Sequence, residues 1–282
     1  MEHHSRNVAI VTIPFRKSLD QRFLLTADRH WDNTLSNWGL QQKHLQEAIA
    51  RRAGILDFGD LFCAMQGKFD KRSDKDNLRS IHCQGEYLDS LVNSAADFFE
   101  ASAKRFIMIG MGNHETAILK RHETNLTTRL VEELNTRQGT DIYNGGYSGW
   151  VIFRLHNLAS DEITTKKLWY IHGYGGGGPV TRGVIQTNRR AVYLPDADFV
   201  VTGHTHDEWI VPIQRNRIDD DGYQYLEEQV HVQIPTYKDE YVDGYGGWHV
   251  ETGKPPKPIG AMWLQFSKVR SGQLEFHFSR AR

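Results

Sequence analysis

The chain has 282 residues, with 34 Lys and Arg against 35 Asp and Glu, and its formal charge of -1 excludes a general attraction to polyanions or a histone-like role. Its 39% apolar and 24% charged residues describe an ordinary globular sequence, long enough for a sizeable core. No run of about 18 apolar residues occurs, and the N-terminal MEHHSRNVAIVTIPFR has no long apolar segment with a small-residue cleavage site, so a cytoplasmic protein without a membrane span is expected.

Taken in chain order, His3 and His4 are too few for a purification tag and read as disordered. "RFLLTA" from Arg22, "GILDFG" from Gly54, "RFIMIG" from Arg105, "KLWYIH" from Lys167 and "DFVVTG" from Asp198 are short apolar runs that read as buried strands. Between the early ones, 37–52 and 86–103 place Leu, Ile, Ala and Phe at helical spacing. Strands alternating with helices imply a layered α/β domain. After His206, "EWIVPIQR", "YQYLEEQVHVQIP" and "AMWLQFSKV" predict a β-rich, largely antiparallel part, and "GKPPKP" from Gly253 reads as a surface loop. One domain over 1–282 is expected, with a motif-bearing core at about 22–210 and a β-rich completion over 208–282. Cys63 and Cys83 are the only cysteines, too few for a disulfide framework, and fit a reduced compartment.

Five of these strands end in polar residues, at the place where open α/β sheets put ligands. They end in Asp28-Arg29-His30, Gly59-Asp60, Gly112-Asn113-His114-Glu115, His172-Gly173 and Gly203-His204-Thr205-His206. One such residue has a bland explanation, since Asp and Asn favour turns and a lone His is usually a hydrogen-bonded structural residue. Five at equivalent places would need that explanation each time. Imidazole with carboxylate suits Zn, Mn, Fe or Ni, and a carboxylate can bridge two ions. Crowding His204 and His206 into one turn lets them face different ions.

In this order, Asp-x-His, Gly-Asp, Gly-Asn-His-Glu, His-Gly and Gly-His-Thr-His resemble the calcineurin-like metallophosphoesterase superfamily, from Asp28 to His206. The resemblance implies a four-layer α/β/β/α sandwich with a β-rich C-terminal part and two divalent metal ions, manganese first among Mn, Zn, Fe and Ni. It implies that Asp28, His30 and His206 hold one ion, Asn113, His172 and His204 the other, and that Asp60 bridges both. A water between the ions, polarised to hydroxide, would attack phosphorus, with His114 outside the ligand shell stabilising the leaving group. Phosphoprotein phosphatases of this superfamily carry Asp-Arg-Gly three residues beyond the Gly-Asp aspartate. Here "GDLFCAM" puts Cys63 there, which disfavours protein phosphatase activity and leaves Glu115 or a more distant carboxylate as candidate partners of His114.

Around the motifs, the insertion Phe62 to His82 carries Lys68, Lys71, Arg72, Lys75 and Arg79, which would grip a second phosphate or a nucleic-acid backbone, or else form a solvated loop balanced by three aspartates. Gly175 to Gly178 let backbone approach a substrate, and Arg182, Arg189 and Arg190 follow on an expected helix. The substrate-binding candidates are Lys68 and Arg72 of the insertion and Arg182. The aromatic "YKDEYVDGYGGWHV" from Tyr237 reads as packed on its own sheet rather than stacking a base. His44, His122, His156, His231, His249 and His277 match no motif and read as structural or surface residues. The function expected is a two-metal phosphoesterase leaning to phosphodiesters, nucleic acid or nucleotide. Its alternatives are a phosphomonoesterase with the same metals, a non-catalytic scaffold, which the filled motif positions disfavour, and an unrelated amidase, which the Asn ligand argues against. A homodimer is compatible with the sequence, which does not set the oligomeric state.

Overall fold

Alternate side chains along the strands, such as Phe23 and Leu25 against Leu24, divide between the outer face of one sheet and an apolar interior that two sheets share. The computed structural model describes residues 1–65, 77–83, 85–176, 178, 180–246, 248–268 and 273–281. Among these, one sheet runs β1 (Glu2–Ser5), β2 (Val8–Phe15), β7 (Ser148–Asn157), β8 (Glu162–Ile171), β9 (Phe199–Thr202), β11 (Gln224–Gln233), β10 (Trp209–Ile218). The other runs β13 (Leu274–Ala281), β12 (Ala261–Lys268), β3 (Asp20–Thr26), β4 (Gly54–Asp57), β5 (Phe106–Gly110), β6 (Tyr143–Gly146). Strands β3 to β6 are parallel, as are β8, β9 and β11, so the C-terminal ends of β3, β4 and β5 lie side by side in one sheet and those of β8 and β9 in the other. The β-rich C-terminal part completes both sheets through the antiparallel pairs β10–β11 and β12–β13.

The helices are α1 (Trp38–Ala50), α2 (Tyr87–Phe99), α3 (Asn113–His122), α4 (Leu126–Gln138), α5 (Ile185–Tyr193) and the single turn α6 (Trp248–Glu251). Asn37 caps α1 by accepting the Leu40 N–H at 2.9 Å, and Asn125 caps α4 by accepting that of Thr128 at 3.0 Å. Leu45 and Ala48 of α1, Leu91, Ala95 and Phe99 of α2, and Leu126, Leu130 and Leu134 of α4 pack on Leu24 and Ile55, the outer face of the second sheet. Between the sheets, Phe23, Leu25, Leu56 and Met108 meet Phe153, Phe199, Val201 and Val232. Leu194 and Ala197, just beyond α5, cover Trp150, Trp169 and Val200 on the outer face of the first sheet. The result is an α/β/β/α sandwich.

The sequence reading located the five motif-bearing strands, α1 and α2. It did not locate β1, β2, β6, β7, β13, α3 or α4. Helix α3 buries only His114, Glu115 and Ile118, so it has no apolar stripe to read. Two readings need correction. His3 and His4 lie in β1, paired with β2, rather than in a disordered tail. Arg182 precedes α5 instead of lying on it, in the left-handed region at φ 46°. No helix among the described residues is long and apolar enough to cross a membrane.

Arg29 anchors the first motif from behind. Its guanidinium is fully buried, with Nε on Asp57 Oδ2 at 2.6 Å, Nη1 on Gln41 at 3.0 Å and Nη2 on Thr26 at 3.0 Å. Removing one partner of such a pair costs about 3–5 kcal/mol, because the other charge is stranded. With Arg29 turned into the helical side, its neighbours Asp28 and His30 face the other way.

Two buried histidines outside the motifs make stability depend on pH. Burial, with Arg29 and Lys43 nearby, pushes His44 down to about 4, and burial with Arg190 and Arg215 pushes His231 down to about 4. An unfolded histidine titrates near 6.5, so the unfolded chain takes up protons that the folded one refuses, and stability present above pH 6.5 is lost as pH falls toward 4. The loss is up to about 3 kcal/mol per histidine. Urea unfolding at pH 7 and pH 4.5 is expected to show a smaller difference for His44→Gln and for His231→Gln than for the unaltered chain.

Candidate functional site

Five motif residues end their strands in a conformation that strands do not use. Asp28, His30, Asp60, His204 and His206 all have positive φ, between 47° and 73°. Each residue costs of order 1 kcal/mol in that region and needs its surroundings to hold it there. Main-chain bonds do so: the Asp28 N–H donates to Gly59 O at 2.9 Å and the His30 N–H to Asp60 O at 3.0 Å. The turns let the side chains leave the sheets and converge above both.

The glycines of Gly-Asp and Gly-Asn are there because the two loops touch. A Cβ on Gly112 would stand 2.0 Å from Asp60 Oδ1 and 2.4 Å from Asp60 N, and one on Gly59 would stand 2.5 Å from Gly112 N. Glu115 ties the same loops together. Its carboxylate accepts the N–H groups of Gly112 at 2.7 Å, Phe62 at 2.8 Å and Asp60 at 3.2 Å. Burial and the neighbouring Asp60 push Glu115 up to about 8 despite these bonds. Glu115 therefore shapes the loops and is not the partner of His114. That partner is the main-chain carbonyl of Cys63, to which His114 Nδ1 is hydrogen-bonded. A carbonyl only accepts, so the proton sits on Nδ1 and Nε2 is left facing Asp60 Oδ2 at 3.8 Å.

The structure brings all seven expected ligands together in two adjoining sets. In the first, His206 Nε2 lies 3.4 Å from Asp28 Oδ1 and 3.2 Å from His30 Nε2, and His30 Nε2 lies 4.0 Å from Asp28 Oδ1. In the second, His172 Nε2 lies 3.1 Å from Asp60 Oδ2 and 3.2 Å from Asn113 Oδ1, with His204 offering a nitrogen within 4.8 Å of Asp60 and His172. Asp28 Oδ1 is 3.9 Å from His172 Nε2, so the sets touch. Donors ~2.1 Å from a shared ion stand ~3–4 Å apart, which these spacings match.

The donor chemistry also fits a divalent cation. Asp28 Oδ1 is buried with no hydrogen-bond partner among the described residues, whereas its sister Oδ2 accepts the His204 N–H at 2.8 Å. A bare buried carboxylate oxygen is costly unless a cation satisfies it. The outer shell sets the tautomers, because His172 Nδ1 donates to Phe58 O at 3.0 Å and His204 Nε2 to Gly175 O at 2.9 Å, leaving their other nitrogens for the cluster. The carboxylates hold positive charge close. Burial by itself lowers His172 and His206, yet Asp60 and Asp28 raise the first to about 10, and Asp28 with Glu240 raises the second to about 9. His30 is pushed well below its ordinary value by burial and by His114.

Glu240, Lys238 and His249 belong to the site and were missed by sequence reasoning. Glu240 Oε2 lies 3.6 Å from His206 Nδ1 and 3.1 Å from His249 Nε2, and its Oε1 takes Lys238 Nζ at 2.6 Å. Burial raises Glu240, but His206 and Lys238 outweigh it and hold the carboxyl well below the usual range. No motif marks these residues, which lie in the aromatic segment, where Tyr237 is buried and Tyr245 almost fully exposed. His249 is thus a cleft residue.

A cleft of about 890 Å³ opens over the cluster. Asp32, Asn33, Asn77 and Leu78 line it, as do Thr252 to Pro258, so the "GKPPKP" loop is a wall of the site. Lys257 pairs with Asp207 at 2.9 Å, fastening that wall to the Gly-His-Thr-His turn. Of the substrate-binding candidates, Arg182 is exposed and lines the cleft. Lys68, Lys71, Arg72 and Lys75 lie outside the described residues. Arg79, at the end of the insertion, stacks on Trp38 at 3.9 Å from its ring centroid, and Arg190 is buried, with its guanidinium 5.8 Å from the Tyr174 ring.

Gly112→Ala is expected to lower the unfolding free energy by about 1–3 kcal/mol, since neither Asp60 nor its backbone can yield without breaking the Glu115 bonds. Gly85→Ala, where an added Cβ meets open space, serves as the control in the same thermal melts.

No protein-family model and no curated protein matches this sequence. Solved structures similar to the chain include wild-type Vps29 complexed with zinc from Entamoeba histolytica, at 12% identity over 92% of this chain and 99% of that one, with a TM-score of 0.37. GAP50, the anchor in the inner membrane complex of Plasmodium, is similar at 12% identity over 94% and 90%, with a TM-score of 0.46. A conserved protein from Streptococcus pneumoniae TIGR4, described as a predicted phosphoesterase, is similar at 8% identity over 93% and 90%, with a TM-score of 0.34.

Proposed function

We propose that this chain is a metal-dependent phosphoesterase that prefers phosphodiesters, its substrates being nucleic acids or nucleotides. Two divalent ions, manganese in the first instance, are held by Asp28, His30 and His206 and by Asn113, His172 and His204, with Asp60 shared. The observation that carries the reading is Asp28 Oδ1, a buried carboxylate oxygen with nitrogen donors around it and no hydrogen-bond partner among the described residues. When bound, such ions supply Lewis-acid polarisation of phosphoryl oxygens and of a water.

The chain's own residues do the rest. Cys63 carbonyl holds His114 so that Nε2 points toward the cluster, where it can carry a proton to a departing oxygen. Asn113 and His114 open helix α3, whose N-terminal dipole favours the added negative charge of a phosphoryl group. The pairing of two cleft lysines favours a diester. A monoester brings a further negative charge, yet Lys238 is already paired with Glu240 and Lys257 with Asp207. Arg182 at the rim suits one phosphate oxygen of a longer substrate.

Chelator-stripped protein with Mn, Ni, Zn or Mg restored is expected to hydrolyse bis-p-nitrophenyl phosphate faster than p-nitrophenyl phosphate. A monoester preference would overturn the diester reading, and no turnover of either with metal bound would count against catalysis. His114→Ala should keep its metal and lose about 10²–10⁴-fold in turnover. Asp60→Ala should bind less metal by elemental analysis. Loss of metal from the His114 variant would show that His114 is a ligand instead.

A further inference from the structure

Beside the cluster of carboxylates and imidazoles stands a second set of donors with different chemistry. The Cys63 thiol and a ring nitrogen each from His30 and His114 lie within 4.8 Å of one another. Met65 Sδ is 3.3 Å from Cys63 Sγ. Cys63, His30 and His114 are all at least nine-tenths buried, yet all four residues line the cleft, so an ion can reach them from solvent. Thiol and thioether sulfur with imidazole is a softer donor set than the carboxylate–imidazole sets next to it, which hold no sulfur.

We propose that Cys63, His114 and His30, with the Met65 thioether beside them, form an inhibitory site for a soft, thiophilic cation such as cadmium, excess zinc or copper(I). Binding forms a sulfur–metal bond in place of the S–H bond, the proton leaves to solvent, and no electrons are transferred. The nitrogen lone pairs of His114 and His30 complete the site. Hard ions such as manganese and magnesium gain little from sulfur and stay with the carboxylates.

The consequence follows from which residues are shared. His30 belongs also to the Asp28–His206 set, and the His114 nitrogen left free by the Cys63 carbonyl is the one that faces the cluster. A soft ion therefore withdraws a ligand from one set and the proton carrier from the reaction. The effect on turnover rests on the function proposed above, whereas the site itself does not.

The test uses cadmium chloride as the probe. Cys83, the other cysteine and an exposed one, is first changed to serine so that any thiolate signal belongs to Cys63. Titration of the manganese-loaded protein is expected to produce a sulfur-to-cadmium charge-transfer absorption that saturates near one equivalent, with turnover of bis-p-nitrophenyl phosphate falling at least tenfold in parallel. Adding Cys63→Ser, or Cys63→Ala should serine disturb folding, is expected to remove the band. The same change should raise at least tenfold the cadmium needed for half-inhibition, relative to each variant's own uninhibited rate. No band at stoichiometric cadmium, or equal sensitivity with and without the Cys63 thiol, overturns the site. If the protein turns over neither ester, the proposed function fails and the band alone decides the site.

Discussion

A single buried carboxylate ties the two sheets together at the point where function is expected. Asp28 ends a strand of one sheet, its Oδ2 accepts the His204 N–H from the other sheet, and its carbonyl accepts the Tyr237 N–H at 3.0 Å and the Thr236 hydroxyl at 2.9 Å from beyond β11. Its remaining oxygen, Oδ1, has no hydrogen-bond partner among the described residues. Burying an unpaired carboxylate costs several kcal/mol, so the surroundings have to present positive charge to it. The neighbouring imidazoles do this, and the raised His172 and His206 are the result.

The other unusual features of the site follow from the same demand. For side chains of five strands to reach one point, the backbone turns sharply past the ends of β3, β4 and β9, where five left-handed residues do that. The turns crowd, and glycine is needed where Gly59 and Gly112 meet. The crowded loops bury their own N–H groups, and Glu115 collects three of them. Arg29, between Asp28 and His30 of the cluster, pairs with Asp57 at the end of β4 and fixes that turn to the neighbouring strand.

In this cleft His114 is held by a main-chain carbonyl, with a thiol and a thioether beside it. A carbonyl sets the tautomer of the imidazole without adding charge. Cys63 meanwhile is buried, its loop held by Asp32, whose carboxylate accepts the Cys63 and Ala64 N–H groups at 2.6 and 2.9 Å. Burial pushes the thiol up to about 12. The position thus combines a fixed histidine with a buried thiol that stays protonated until a metal ion displaces the proton.

The sequence by itself determined which strands carry chemistry and which side chains end them, because short apolar runs followed by Asp, Asn, His and Gly are local patterns, and a polar residue at a strand end is exposed to whatever lies above the sheet. It determined the layered α/β class for the same reason. Only the tertiary structure decided what lies opposite. Glu240, Lys238 and His249 reach the cluster across the fold from a segment with no motif, Glu115 turned out to hold N–H groups instead of His114, and the Gly253–Pro258 loop became a wall because Lys257 pairs with Asp207. These are pairings between residues distant in sequence, set by how two sheets stack and how charge is compensated in their shared interior. Local periodicity carries no trace of either.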